Sequence, residues 1–259
     1  MAQEKKYIIG NWKMNLGVHE ASLYLHKLSD EIKARRDVEV VVAPTMLALQ
    51  TLSLQVNQRQ MKLAAQNFYW RDKGSFTGEV SATQLRGIVS YGIIGHSERR
   101  HVFHENDKDT RAKVQAALRN GIRPILCVGE TAGERATGET NDVIHDQLLG
   151  GLANVTSEEL SEVIIAYEPV WAIGTGDNAL PTDVVSAIVS IRSQLKHLYG
   201  ARAASEVPVL YGGSVTADSA ADYLALHEVD GLLVGGASLD ARSFVSIVEK
   251  AYESTRKEK

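Results

Sequence analysis

Apolar residues recur along the chain in eight short runs, at residues 7–9, 38–43, 62–65, 91–94, 124–128, 163–167, 207–211 and 231–234, most of them rich in β-branched side chains. Runs of this length predict strands. Several are apolar at nearly every position instead of every second one, which predicts strands buried on both faces, as in parallel sheets. The intervening stretches change period. Residues 109–119 place Val114, Ala117 and Leu118 on one helical face and stop at Asn120-Gly121. Residues 181–199 repeat the pattern with Val184, Ile188, Ile191, Leu195 and Leu198, and stop at Gly200. Alternating strands and helices predict parallel βα units, and eight of them is the number at which such a sheet closes into a (β/α)8 barrel. No linker, low-complexity tract or change in composition divides the 259 residues, so one α/β domain over 1–259 is expected. Periodicity alone leaves an open doubly wound sheet as the alternative.

Composition narrows the partners. Hydrophobic residues make up 44% and charged residues 23%, and the formal charge of -4 gives no electrostatic reason to expect nucleic acid or an anionic membrane. Runs such as residues 163–166 fall far short of the roughly 20 apolar residues that cross a bilayer. The polar start, residues 1–6, leads directly into Tyr7 without the apolar stretch of a secretory signal. The single cysteine, Cys127, excludes an intrachain disulfide and fits a reducing compartment, so a cytoplasmic location is expected.

The unusual residues fall at the carboxyl ends of the predicted strands: Gly10-Asn11-Trp12-Lys13 after the first, Gly95-His96-Ser97-Glu98 after the fourth, Glu168-Pro169 after the sixth, Gly212-Gly213-Ser214 after the seventh and Gly235-Gly236 after the eighth. In a barrel these ends share one face, where active sites lie and where the seventh and eighth loops often hold phosphate. A glycine pair lets backbone N–H groups approach an anion, although either pair alone reads equally as a tight turn. Lys13 could stabilise a phosphate or a developing enolate; most lysines are simply solvated. Glu168 ends an apolar run before a proline, where desolvation suits a general base; an ion pair with a loop cation is the structural alternative. Residues 169–176 couple apolar side chains to glycines, the composition of a lid, and a static packed loop competes with that reading.

Other signals carry less. Gly174-Thr175-Gly176-Asp177-Asn178-Ala179 fits a relaxed dinucleotide pattern, but it does not turn directly from strand to helix, and Lys196 stands where the ribose-binding acid belongs. His101-Val102-Phe103-His104-Glu105 lacks a second ligand cluster, so no metal is expected. Cys127, inside an apolar run, reads as a small buried hydrophobe.

Together, Gly10-Asn11-Trp12-Lys13-Met14-Asn15, Gly95-His96-Ser97-Glu98-Arg99, the segment from Ala166 to Gly176, Tyr211-Gly212-Gly213-Ser214 and the segment from Gly231 to Ser238 resemble the triosephosphate isomerase family, in order and over most of the chain. The resemblance implies an aldose–ketose isomerase interconverting D-glyceraldehyde 3-phosphate and dihydroxyacetone phosphate through an enediolate, with no cofactor. It implies Glu168 as the base, neutral His96 as the group that polarises the carbonyl, and Lys13 and Asn11 as supports for the enediolate. It further implies that Glu98 holds Lys13, that Gly174, Gly213, Ser214, Gly235 and Gly236 bind the phosphate, and that Tyr211 holds the closed lid. Residues 66–80 resemble the loop by which the family dimerises, which implies a homodimer with Thr77, Glu79 and Arg99 at its interface. Two departures stand out: Asp177-Asn178-Ala179 replaces the Lys-Thr-Ala common after the lid, and Leu180 occupies a helix-capping position where Ser or Thr is usual. A nicotinamide-dependent dehydrogenase and a catalytically silent phosphate-binding barrel are the competing functions at this point.

Overall fold

A strand buried on both faces needs a partner layer on each side, and a sheet that rolls up supplies one of them from itself. A computed structural model, describing residues 5–173 and 178–257, shows this arrangement. Strands β1 (Lys6–Asn11), β2 (Val38–Ala43), β3 (Met61–Ala65), β4 (Tyr91–Ile94), β5 (Arg123–Val128), β6 (Ile164–Tyr167), β7 (Val209–Tyr211) and β8 (Gly231–Val234) pair in parallel and in sequence order. The barrel closes through β1 and β8, where Tyr7, Ile8, Ile9 and Gly10 stand opposite Gly231, Leu232, Leu233 and Val234. Closure decides against the open sheet. The outer elements are α1 (Val18–Glu31), α2 (Met46–Ser53), α3 (Ala82–Leu85), α4 (Ser97–His101), α5 (Asp107–Arg119), α6 (Ala132–Ala136), α7 (Thr140–Leu152), α8 (Pro181–Tyr199), α9 (Ala201–Glu206), α10 (Ala220–Leu224) and α11 (Ala241–Lys257). Short 3-10 turns cover Glu159–Glu162, Val170–Ala172 and Gly236–Leu239.

The apolar runs divide by the strand's period of two. Tyr7, Ile9, Val41, Ala43, Ala64, Tyr91, Ile93, Ile125, Cys127, Ile164, Ala166, Leu210 and Leu233 form one buried cluster, the filling of the barrel. Their neighbours, such as Ile8, Val40, Val42, Leu126, Ile165, Val209 and Leu232, belong to a second cluster shared with the helices. Alternate residues of one run thus serve two cores.

Most strand and helix positions follow the sequence pattern, and the differences have local causes. β1 runs on through Gly10 and Asn11, which pair with Val42 and Ala43. β7 starts at Val209, not at 207, because Val207 is the C-cap of α9, Pro208 has no N–H to give, and the Val209 N–H goes to Asp230 Oδ2 at 2.7 Å. α5 starts two residues early, since the Asn106 side chain caps it by accepting from the Asp109 N–H at 3.1 Å. α8 begins at Pro181 without a side-chain cap from Leu180; Asp183 Oδ2 instead accepts the Leu180 N–H at 3.3 Å, half of a capping box.

A buried clasp joins the chain ahead of β2 to the C-terminal helix. Arg35 Nε donates to Asp37 Oδ1 at 2.8 Å, the Thr255 hydroxyl donates to Asp37 Oδ2 at 3.1 Å, and the Arg35 guanidinium lies 4.8 Å from the Tyr252 ring centre. The bond from Arg35 is the main cause that holds the Asp37 carboxyl well below the usual range. A depressed carboxyl stabilises the fold fully above its unfolded pKa of about 3.9 and loses that contribution as pH falls toward its folded value. Asp37→Asn is therefore expected to cost about 2 kcal/mol at pH 7, a melting temperature about 4–8 °C lower. The gap from wild type should narrow as pH drops below about 4. Melting curves across pH 3–7, followed by circular dichroism, check this, and a pH-independent gap would exclude the carboxylate as its source.

Candidate active site at the carboxyl ends of the strands

The alternation that fills the barrel also furnishes its mouth. Two residues beyond Ile9 the inward position is Asn11; beyond Ala166 it is Glu168; beyond Leu210 and Leu233 it is Gly212 and Gly235. These four residues line a cavity of about 390 Å³ together with Lys13, His96, Gly213, Ser214 and Gly236. The space suits a small metabolite. Among the lining residues, Lys13 is the lysine or arginine and Glu168 the carboxylate.

Lys13 sits in the left-handed region, with φ 51°, a conformation that costs a non-glycine residue about 1–3 kcal/mol. Its backbone is held from both sides: the N–H donates to Asn11 Oδ1 at 3.1 Å, and Gln66 Nε2 donates to its carbonyl and to that of Ala43, both at 2.8 Å. The ammonium meets Glu98 Oε1 at 2.6 Å. Gln66, placed by the sequence in a dimerisation loop, also fixes the main chain of the site.

His96 caps α4. Its Nδ1 accepts the Glu98 N–H at 3.2 Å. An amide can only donate, so Nδ1 carries no proton and the ring is the neutral Nε2–H tautomer. That N–H points at Glu168 Oε1, 3.0 Å away. The other carboxylate oxygen, Oε2, accepts the Ser97 N–H at 2.9 Å. Glu168 is 2% exposed, and both of its bonds come from the start of one helix. Beneath it lies Cys127, whose thiol pKa is pushed far up by burial and then by the Glu168 charge. Cys127 remains a neutral thiol, consistent with its apolar reading.

Packing constrains several of the glycines. A Cβ on Gly212 would come within 3.0 Å of Glu168 Cγ, and one on Gly213 within 2.3 Å of the Tyr211 hydroxyl. A Cβ on Gly129 would lie 1.9 Å from the Glu168 carbonyl oxygen. Gly236, by contrast, has open space where a Cβ would project, at the start of the 3-10 turn. Ser214 Oγ donates to Ala172 O at 2.7 Å, joining the loop after β7 to the stem of the loop after β6. Tyr211 is buried, and among the described residues its hydroxyl has no hydrogen-bond partner. Gly174 lies outside the described residues, as does most of the glycine-rich end of the 169–176 segment.

The stem of that segment rests on Glu130, which the sequence reading passed over. This carboxylate, 0% exposed, accepts from Trp171 Nε1 at 2.8 Å and from the Tyr167 hydroxyl at 3.1 Å, and its backbone carbonyl accepts the Val170 N–H at 3.0 Å. The signal was present: Gly129-Glu130 follows an apolar strand just as Glu168 does. Thr77 and Glu79 stand on the exposed stretch 71–79 and do not line this chain's cavity. Arg99 Nε donates to Glu105 Oε2 at 2.7 Å, and Glu105 is also paired with buried Lys113.

Comparison with known proteins decides among the functions left open. The family model described as triosephosphate isomerase matches residues 6–251. Triosephosphate isomerase of Chloroherpeton thalassium is 43% identical over 252 residues, covering 95% of this chain and 99% of the relative. That of Alkaliphilus oremlandii is 42% identical over 94% of this chain and 98% of the relative, and that of Caldanaerobacter subterraneus 43% over 93% and 97%. With a closed eight-stranded barrel and a glutamate, a neutral histidine and a lysine gathered at its mouth, the chain belongs to the triosephosphate isomerase family.

Proposed function

We propose that Glu168, His96, Lys13 and Asn11 carry the reaction in this chain. It is an aldose–ketose isomerase interconverting D-glyceraldehyde 3-phosphate and dihydroxyacetone phosphate. The observation that carries the assignment is the His96 Nε2–H directed at the buried Glu168 carboxylate, with Lys13 on the same cavity. A substrate carbonyl that takes over the His96 N–H releases the carboxylate toward the adjacent carbon. Glu168 removes the proton from that carbon and becomes a carboxylic acid; the electron pair moves onto the carbonyl oxygen, giving the enediolate. His96 moves a proton between the two oxygens, and Glu168 returns its proton to the neighbouring carbon. The Lys13 ammonium, held by Glu98, and Asn11 stabilise the negative charge while it exists.

The phosphate is assigned to Gly213, Ser214, Gly235 and Gly236, with Gly174 of the 169–176 lid and Tyr211 as its latch. A closed lid keeps water out and protects the enediolate from expelling its phosphate. The same reading makes the protein a cytoplasmic homodimer, as suits a glycolytic enzyme without a membrane-spanning helix among its described residues. The exposed 71–79 stretch, with Thr77, Glu79 and Phe76, and the exposed Met14 (93%) and Phe103 (63%) support a partner surface.

Glu168→Gln should lower kcat about 10²–10⁴-fold with little change in KM, measured beside wild type prepared in parallel; equal turnover would remove Glu168 from the role of base. Gly236→Asp should raise the inhibition constant for inorganic phosphate about tenfold, the effect of roughly 1.4 kcal/mol of charge repulsion. Unchanged inhibition would remove the turn after β8 from the phosphate site. Sedimentation equilibrium should give a particle of twice 28.3 kDa, with Thr77→Arg sedimenting as a monomer of low activity; a monomeric wild type would refute the dimer.

A further inference from the structure

The turn after β8 is braced from outside the barrel. On α1, the Tyr24 hydroxyl donates to the backbone carbonyl of Ser238 at 2.7 Å. Tyr24 is 7% exposed and Ser238 0%, so this bond is made away from water. Ser238 belongs to the 3-10 turn Gly236–Leu239, and its own hydroxyl donates to the Gly235 carbonyl at 2.6 Å and lies 3.4 Å from that of Asn11. The Tyr24 ring also stands edge-on to the indole of Trp12, with centres 5.0 Å apart and planes at 82°. Trp12 separates Asn11 from Lys13 in sequence. One side chain of an outer helix therefore meets the backbone of the β8 turn and the residue between two groups of the reaction site.

A four-residue turn has few internal bonds to define it; here its own backbone supplies Ser238 N–H to Gly235 O at 2.8 Å. Without the Tyr24 donor the Ser238 carbonyl is left buried with one bond fewer, and an unsatisfied buried acceptor is relieved by rotation of its peptide plane. In so short a turn that rotation is passed on to the N–H groups at Gly235 and Gly236. Burial, and after it the Asp240 carboxylate, pushes the Tyr24 pKa up, so the hydroxyl stays a donor at any working pH.

We propose that Tyr24 is a positioning residue for phosphate recognition, acting through Ser238 to hold the turn whose backbone N–H groups receive the substrate's phosphate. The inference rests on the assignment of Gly235 and Gly236 to the phosphate. Glu168 and His96, which stand after β6 and β4 and are bonded to each other and to α4, do not depend on this brace.

Tyr24→Phe keeps the ring against Trp12 and removes only the donor. KM for glyceraldehyde 3-phosphate and the inhibition constant for inorganic phosphate should both rise about fivefold to tenfold, with kcat within about twofold of wild type. Turnover of unphosphorylated D-glyceraldehyde should change by less than about twofold, which separates phosphate positioning from damage to the fold or to proton transfer. Unchanged KM and inhibition constant, or equal losses with both substrates, would overturn the proposal. Gly236→Asp, measured alongside, separates the two layers of the argument. If it leaves phosphate inhibition intact, the phosphate assignment fails; if it weakens inhibition while Tyr24→Phe does not, only the role of Tyr24 fails.

Discussion

The pairing of β1 with β8 is the contact on which the other features depend. While the sheet is open, alternate residues of each strand merely face two sides; once it closes, one side becomes the interior of a barrel and the other the seat of the helices. Tyr7, Ile9, Cys127, Ala166 and Leu233 then pack on one another, and the next inward position of each strand opens into the mouth. Asn11 and Glu168 reach the site because they continue the series that begins with Tyr7 and Ile164. Gly231 shows how tightly this closing seam is built, since a Cβ there would lie 2.0 Å from the Tyr7 carbonyl oxygen.

Closure brings polar groups to a place where water is scarce, and local hydrogen bonds determine what each of them does. The amide of Glu98 fixes the His96 tautomer while the side chain of Glu98 takes the Lys13 ammonium. One residue thus sets a neutral donor and a cation on neighbouring parts of the cavity. The start of α4 supplies both partners of Glu168, one through the Ser97 amide and one through His96. These bonds fix the position of the carboxylate. They are also exchangeable: a ligand oxygen can replace the carboxylate on His96 without leaving a buried donor unpaired.

Most of the barrel was legible in the sequence because strands buried on both faces must be apolar throughout, and that pattern leaves few alternatives. Their ends were less legible. Asn11 is polar yet still pairs with Ala43, whereas Val207 is apolar yet lies outside the ladder. The candidate residues of the site were legible as polar or glycine clusters at strand ends, and the structure gathers Asn11, Lys13, His96, Gly213, Ser214, Glu168, Gly235 and Gly236 around one cavity. Their supports were not. Tyr24 and Ser238 stand 214 residues apart, Gln66 and Lys13 53, and Trp171 and Glu130 41; such pairs leave no local pattern to read. The glycines were recognised, but Gly212 and Gly213 also make room for Glu168 and Tyr211, a steric requirement that appears only once the strands are side by side.

The two ends of the cavity are stabilised in different ways, and the difference follows from length of structure. On the side of β4 and β6, Glu168 and His96 rest on α4 and on each other, so each bond has a neighbour that would be disturbed with it. On the side of β8 the chain makes a four-residue turn and leaves at once into α11. Backbone donors in such a turn can approach an anion closely because glycine lacks a side chain, and for the same reason nothing at Gly235 or Gly236 wedges them in place. The rigidity has to come from the layer behind, through Ser238, bonded to Gly235, and Tyr24, bonded to Ser238. Small residues lining the cavity and large ones one layer back are complementary requirements of the backbone grip on an anion proposed for this turn.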